Sequence, residues 1–155
     1  MVNTIVTKKT RPKVIIYPIP ETSYPKWVRK QSKLTANWLK NIDFKCRPGT
    51  HALIPGIHGE LEKIIYGISD APDLWEWASL PRDLPYGLYE LAKNTDPAHA
   101  KNAALAWALE NYRFNPYQKK TFTLPKLVKP ARFNSEIASS TYFVRDLINT
   151  PANEL

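Results

Sequence analysis

The sequence predicts an α/β fold of three layers, a mixed β-sheet flanked by helices. Residues 13–19 form an almost continuous apolar run, which is typical of a central strand buried on both faces. His51–Pro55 and Leu61–Ile68 are two further strand-like runs, and the connection 56–60 is short and glycine-bearing, as a β-hairpin requires. The dipeptide at 96–97, Asp-Pro, then starts a long alanine-rich helix. Strands and helices therefore alternate along the chain, and this alternation favours the layered fold.

The segment around the first strand contains several prolines that set its boundaries. Pro18 predicts that the strand leaves the sheet at that position, because proline cannot donate a hydrogen bond to a neighbouring strand. Pro25 favours the start of a helix within 23–33, and 35–41 predicts a second helix. Residues 44–47 are expected to form a short edge strand.

The second half continues the alternation. Residues from 70 or 72 to 80 predict a helical stretch, and 86–91 predict a strand. The helix that begins at the Asp-Pro dipeptide is expected to run to about Tyr112. Residues 121–124 and 127–128 predict the last strands of the sheet.

Residues 135–148 predict an amphipathic helix, which Ser135 can cap at its start. Its apolar side chains recur at helical spacing and form a broad face. The members of that face are Ile137, Tyr142, Phe143, Val144, Leu147 and Ile148.

The last seven residues predict the start of another helix. Asn149 suits a helix end, and Thr150 before Pro151 predicts a cap followed by the first-turn proline. Since a complete domain rarely ends on a helix-start signal, we expect an N-terminal piece of a longer protein. The predicted division is an N-terminal α/β domain over 1–148, with a flexible arm at 1–11, and the start of a linker to a further C-terminal domain at 149–155.

The same residues resemble a known family. The string at 145–155, Arg-Asp-Leu-Ile-Asn-Thr-Pro-Ala-Asn-Glu-Leu, resembles the junction motif of the leucyl aminopeptidase (cytosol aminopeptidase) family. In that family the motif leads from an N-terminal α/β domain into the catalytic domain. The earlier order of strand-like run, proline-rich bend and alanine-rich helix also fits. The junction residues are Arg145, Asp146, Leu147, Asn149, Thr150, Pro151, Ala152 and Asn153.

The resemblance implies a macrodomain-like fold and a parent protein that removes N-terminal residues from peptides. Members of the family hold two divalent metal ions, manganese or zinc, through Lys, Asp and Glu of the C-terminal domain. Their hallmark string is Asn-Thr-Asp-Ala-Glu-Gly-Arg-Leu, whereas here Asn149 and Thr150 are followed by Pro151. No catalytic or metal residue of the family can therefore be placed on this chain.

The expected partners follow from the same resemblance. We expect this chain to have no peptidase activity or cofactor of its own and to pack on its own C-terminal catalytic domain. The parent is expected to be a cytoplasmic homo-hexamer with this domain at its outer corners, and peptide substrates are expected to bind elsewhere.

Other chemical sites have little support. His51, His58 and His99 lack metal-ligand spacing, although the first two could meet across the hairpin, and surface or edge-strand positions are favoured. Cys46 is alone, so no internal disulfide can form. The glycines at 56–59 precede a strand rather than a helix, which disfavours a phosphate site. Nucleotide binding of the macrodomain kind is therefore a disfavoured alternative.

The charge distribution leaves a nucleic-acid alternative open. The formal net charge is +8, and residues 1–47 contain eleven Lys or Arg against only Glu21 and Asp43. Such a basic third could contact DNA, although a solvated surface is favoured because the bases show no repeating motif. The five tryptophans are expected to pack in the core rather than stack on bases. No run approaches the roughly 18 apolar residues of a membrane helix.

Overall fold

The computed structural model of the chain describes residues 4–7, 13–114, 123–131 and 133–151. The strands in this part are β1 (Ile5–Val6), β2 (Val14–Pro20), β3 (His51–Pro55), β4 (Leu61–Ile68), β5 (Leu88–Leu91) and β6 (Lys126–Val128). The helices are α1 (Tyr24–Val28), α2 (Lys33–Asn41), α3 (Leu80–Asp83), α4 (Pro97–Glu110) and α5 (Glu136–Asn149), with 3-10 turns at Glu21–Ser23 and Trp75–Trp77.

The described strands form one mixed sheet in the order β1-β6-β5-β2-β4-β3. All neighbouring pairs are parallel except β3 and β4, which are antiparallel. The fold class predicted from the sequence, a mixed sheet flanked by helices, is confirmed. The predicted hairpin is also confirmed, because Ala52 lies opposite Ile65 and the Gly56 amide donates to the Glu60 carbonyl across the connection (2.7 Å).

The strand β2 continues through its prolines, so the expected departure from the sheet at Pro18 is wrong. Pro18 and Pro20 both pair with β4 residues. The Ile16 carbonyl accepts from the Ala92 amide, which shows that Ile16 directs its polar backbone groups toward β5. Pro18 and Pro20, two and four positions after Ile16, direct their backbone groups toward the same edge of β2. At that level β5 has already ended, at Leu91. The missing proline N–H groups therefore cost no sheet hydrogen bond.

Helices cover both faces of the sheet because alternate side chains of the central strands point to opposite sides. On one face α3 and α4 enclose a core with two fully buried tryptophans, Trp77 and Trp107. On the other face α1 and α2 cover a smaller core around Leu39 and Ile65. The helix α5 adds to the first layer by packing on α4.

The N-terminal segment differs in part from the flexible arm expected at 1–11. Ile5 and Val6 form β1 and pair in parallel with Leu127 and Val128. The Leu127 amide donates to the Thr4 carbonyl (2.8 Å), which extends this edge. The sequence around Ile5 and Val6 contains no local signal that predicts this pairing with β6.

Two other predicted segments are irregular. Residues 44–47, predicted as an edge strand, form a loop in which Cys46 has a positive φ of 55°, outside strand geometry. The stretch up to residue 80, predicted as one helix, contains a 3-10 turn followed by the separate helix α3. The strand predicted at 121–124 lies partly outside the described residues, and 123–124 are not strand.

The junction helix as candidate functional site

The residues predicted to form the junction motif begin at the end of α5. The start of this helix is capped by a residue other than the predicted one. Ser135 has a helical backbone (φ −80°, ψ −7°) and its hydroxyl makes no cap hydrogen bond. Instead, the Asn134 side-chain carbonyl accepts from the Glu136 amide (2.9 Å). The Asn134 side-chain amide also donates to the Glu136 carboxylate (2.8 Å). The cap prediction was thus wrong by one residue.

A narrow face of α5 attaches it to α4. Ala138 is fully buried and lets the two helices approach closely. The Tyr142 hydroxyl donates to the Ala108 carbonyl, and the Arg145 guanidinium donates to the Leu109 carbonyl (3.1 Å). Both carbonyls belong to the last turn of α4, where the Leu109 carbonyl also accepts from the Tyr112 amide (3.3 Å). Side chains of α5 therefore complete the hydrogen bonding of α4.

Three of the predicted junction residues contact Tyr112, which follows α4. Its hydroxyl donates to the Asp146 carboxylate (2.7 Å) and accepts from the Asn149 side-chain amide (3.4 Å). The Arg145 guanidinium lies 5.3 Å from the centre of the Tyr112 ring, within cation–π range. The pKa of Tyr112 is raised, first by burial and then by the hydrogen bond to Asp146. Three predicted junction residues thus converge on one tyrosine and fix the orientation of α5.

The end of the described chain shows where α5 stops. The Thr150 amide and hydroxyl both donate to the Asp146 carbonyl (2.9 and 2.7 Å), and Thr150 itself has an extended backbone. Pro151 is exposed. The junction residues Ala152 and Asn153, and with them the helix predicted after Thr150, lie outside the described residues.

The broad apolar face predicted for α5 is exposed in this chain. Ile148 is 76% exposed and Phe143 is 64% exposed, although both are large apolar side chains. Ala138 is the buried residue of the helix. We call the five exposed side chains the α5 apolar face; they are Ile137, Phe143, Val144, Leu147 and Ile148. An apolar surface of this kind is typical of an interaction site.

The other sequence candidates do not assemble into a site. His51 lies on β3, His58 lies in the exposed hairpin loop, and His99 is buried in the first turn of α4, contrary to the surface position favoured for it. Among the described residues, no group of three or more His, Cys, Asp or Glu side chains could hold a metal ion. The glycines Gly56 and Gly59 lie in the connection between the antiparallel strands β3 and β4.

The tryptophans divide between core and surface. Trp77 and Trp107 are buried, as predicted, whereas Trp75 is 75% exposed beside a shallow pocket between the 3-10 turn and the end of α4.

Of the helices that the structure describes, none is long and apolar enough to cross a bilayer.

Comparison with known proteins identifies the family. A family model described as M17 aminopeptidase, N-terminal domain, matches residues 14–130, which include β2 to β6. The chain belongs to the M17 aminopeptidase family. The match covers its N-terminal domain, and α5 with the junction motif lies just beyond the matched residues.

Solved structures agree with this assignment. The crystal structure of the cytosol aminopeptidase from Coxiella burnetii is 31% identical to this chain and superposes with a TM-score of 0.85. The superposition covers 97% of this chain and 34% of that one. The similarity to that cytosol aminopeptidase therefore extends over nearly all of this chain.

Two more distant structures share the fold. The bottromycin maturation enzyme BotP, solved with and without Mn, is 19% and 18% identical and superposes with a TM-score of 0.61. These superpositions cover 91% and 92% of this chain and 32% and 34% of the BotP chain. The chain thus spans about a third of the length of the solved relatives. A comparison with curated protein sequences gives no match.

Proposed function

We propose that this chain is the non-catalytic N-terminal domain of a metal-dependent leucyl aminopeptidase. The parent protein hydrolyses N-terminal residues from peptides, and this domain serves its structure and assembly. The observation that carries this role is the α5 apolar face, which overlaps the predicted junction motif at Leu147 and is exposed in this structure. The occupant we assign to this face is the catalytic domain that follows the motif in the family.

The physical argument rests on the contrast between the two sides of α5. One side is fixed to α4 through the buried Ala138 and through side-chain bonds from Tyr142 and Arg145. The other side presents five large apolar residues to solvent. Burying one such side chain stabilises a contact by roughly 1.5–3 kcal/mol. A domain docked on this face would therefore gain substantial binding free energy without any change in α5.

The remaining properties of the parent are proposals from the family resemblance. Two divalent ions, manganese or zinc, would be held by the catalytic domain, where they would activate water and polarise the scissile carbonyl. The homo-hexamer, with this domain at its outer corners, and the cytoplasmic location have the same support.

The first experiment asks whether the 155-residue chain has any peptidase activity. The purified chain is mixed with leucine p-nitroanilide and with manganese or zinc, and release of nitroaniline is followed by absorbance. We expect no turnover above the metal-only control, because the catalytic residues belong to the other domain. Robust metal-dependent hydrolysis by the chain would overturn the proposal.

A second candidate function is contact with nucleic acid, favoured by one observation. The bases between residues 26 and 47 are all exposed and belong to the layer of α1, α2 and the loop after them. Asp43, paired with Lys45, is the acid within this stretch. The exposed bases are Lys26, Arg29, Lys30, Lys33, Lys40, Lys45 and Arg47.

The test for this candidate is an electrophoretic shift of duplex DNA at micromolar protein and increasing salt. Binding through phosphate contacts would weaken steeply as salt rises, because bound cations are released from DNA. Unchanged mobility at low salt would remove the candidate, and the structural role would stand alone.

A further inference from the structure

A cleft of about 470 Å³ lies at the carboxyl ends of β2 and β4. The strand β2 is central, with β4 on one side and β5 on the other. The chain leaves β2 through α1 and α2 on one face and leaves β4 through α3 on the other face. Open α/β sheets bind ligands in the crevice at such a reversal of strand order.

The floor of the cleft contains a buried histidine with a carboxylate behind it. His99 lines the cleft, and its side chain is only 6% exposed. Its Nδ1 lies 3.8 Å from Oε1 of Glu76, whose side chain is 7% exposed. Neither atom has a hydrogen-bond partner among the described residues. The other Glu76 oxygen accepts from the Ser69 amide (3.0 Å), which holds this carboxylate in place.

This arrangement assigns different surroundings to the two ring nitrogens of His99. Nδ1 faces the Glu76 carboxylate, which is a hydrogen-bond acceptor, so we assign the ring hydrogen to that nitrogen. We assign Nε2, the ring nitrogen that does not face Glu76, to the cleft that His99 lines. A neutral imidazole protonated at Nδ1 accepts a hydrogen bond at Nε2. The floor of the cleft therefore offers an acceptor.

The rim of the cleft is acidic. Asp70 and Asp96 are exposed at the cleft, and no lysine or arginine is among the described residues that line it. Asp70 accepts from the Thr22 hydroxyl (3.1 Å) through one oxygen, and Asp96 accepts from the Ala98 amide (2.8 Å) through one oxygen. Each carboxylate keeps its second oxygen for another donor.

The acidic rim of the cleft favours a positively charged ligand over a negatively charged one. Asp96 already occupies the amide donors at the start of α4, accepting from His99 as well (3.3 Å). A phosphate would find no free helix N-terminus and two repelling carboxylates. An ammonium group would find two carboxylates and the Nε2 acceptor. The wall formed by Trp27 and prolines such as Pro18 gives apolar contact and a ring for a cation.

We propose that this cleft binds a small primary amine that carries an apolar group. The ammonium lies between Asp70 and Asp96 and donates to His99 Nε2, while the apolar group packs on Trp27. Glu76 is a positioning residue that holds the imidazole. This site is independent of the aminopeptidase assignment, since it involves no residue of the α5 apolar face.

The test uses the 155-residue chain labelled with ¹⁵N and two probes of equal shape and opposite charge, phenethylamine and 3-phenylpropionate. We expect phenethylamine to produce saturable shifts at the amides of Ile68, Thr95 and His99, and 3-phenylpropionate to produce none. Equal shifts with both probes, or no localised shift with about 10 mM phenethylamine, would overturn the proposal.

Matched variants separate the site from general charge. Asp70→Asn with Asp96→Asn removes both rim charges at constant shape, and Asn still caps α4. We expect this double variant to weaken phenethylamine binding at least about tenfold. Asp43→Asn with Glu62→Gln removes the same charge from exposed positions elsewhere and should leave binding unchanged. Equal affinity of the two double variants would contradict the site.

Discussion

Single residues show why some positions in this fold accept no change. Gly67 lies in β4 beside the loop that holds Cys46, and a Cβ added there would approach the Arg47 carbonyl oxygen to 2.1 Å. It would also lie 2.6 Å from the Cys46 carbonyl oxygen. Both obstacles are backbone atoms, which cannot rotate away. Glycine at this position is therefore required by close approach of two backbone segments.

The expected consequence is a large loss of stability in Gly67→Ala. We expect the free energy of unfolding to fall by about 3 kcal/mol or more, because the loop or the strand must move. Gly87→Ala is the matched control, since its Cβ would meet the Tyr89 ring at 3.4 Å and cost less than about 1 kcal/mol. Urea denaturation of both variants measures the difference, and equal midpoints would refute the steric argument.

Cys46 gives a second residue-scale prediction, based on its pKa. Burial raises the pKa of this thiol to about 12, and the negative charge of Glu21 adds to the effect. The thiol is fully buried, and its Sγ donates to the Ile19 carbonyl (3.5 Å). The fold therefore favours the neutral thiol. This contribution to stability is complete below the ordinary pKa of 9.0 and is lost as pH rises toward 12.

Reaction with a disulfide reagent measures this shift, because the thiolate is the reactive form. At about pH 9 we expect the native chain to react about a hundredfold or more slowly than the chain unfolded in guanidinium. The native rate should rise on approach to pH 12. Similar rates for native and unfolded protein at pH 9 would show that the thiol is accessible and not shifted.

At the scale of elements, the sequence correctly predicted the features that depend only on neighbouring residues, such as helix starts and hairpin turns. The helix start at 96–97 is confirmed because the Asp96 carboxylate and Pro97 act within one turn. The hairpin is confirmed because its connection contains its own turn residues. The course of β2 through Pro18 could not be predicted, since it depends on where β5 ends, in a strand some 70 residues away along the chain. Neighbours distant in sequence determine which backbone groups need partners.

The candidate sites show the same limit. Periodicity predicted the α5 apolar face, but the sequence does not reveal that its side chains are exposed in the structure. The pairing of His99 with Glu76 was missed because the two residues are 23 positions apart and follow no recognised spacing. The Asp-Pro dipeptide that starts three residues before His99 predicts that His99 lies in the first turn of a helix. It gives no information about Glu76.

The cap of α5 gives an element-scale prediction that separates two neighbouring residues. Asn134→Ala removes the acceptor for the Glu136 amide and is expected to lower the free energy of unfolding by about 1 kcal/mol. Ser135→Ala should change it by less than about 0.5 kcal/mol, because the Ser135 hydroxyl makes no cap bond. Thermal or urea denaturation distinguishes them. A larger loss for Ser135→Ala would return the cap to the residue that the sequence predicted.

At the scale of the whole molecule, two surfaces differ in chemical character. The α1 and α2 layer is basic and exposed, whereas the α5 apolar face lies at the end of the α4 layer. The solved relatives are about three times as long as this chain, and the catalytic domain that we propose to follow it would cover one of these surfaces. Desolvating several lysines would cost free energy, while covering apolar side chains releases it. The α5 apolar face is therefore the better docking surface.

The chain alone should reveal this surface by associating with itself. We expect the average mass in sedimentation equilibrium to rise with protein concentration, because the side chains of the α5 apolar face are exposed. Ile148→Lys places a charge on the most exposed residue of that face and is expected to raise the concentration for association by about tenfold, as loss of one buried isoleucine implies.

Ser139→Lys is the matched control, since Ser139 is exposed on the same helix outside the α5 apolar face and receives the same charge. Both variants keep the bonds of Tyr142 and Arg145 to α4, so circular dichroism should show equal helix content. If Ser139→Lys reduced association as much as Ile148→Lys, general charge repulsion would explain the effect. If the unmodified chain stayed monomeric at every concentration, burial of the α5 apolar face would not release enough free energy to bind a catalytic domain.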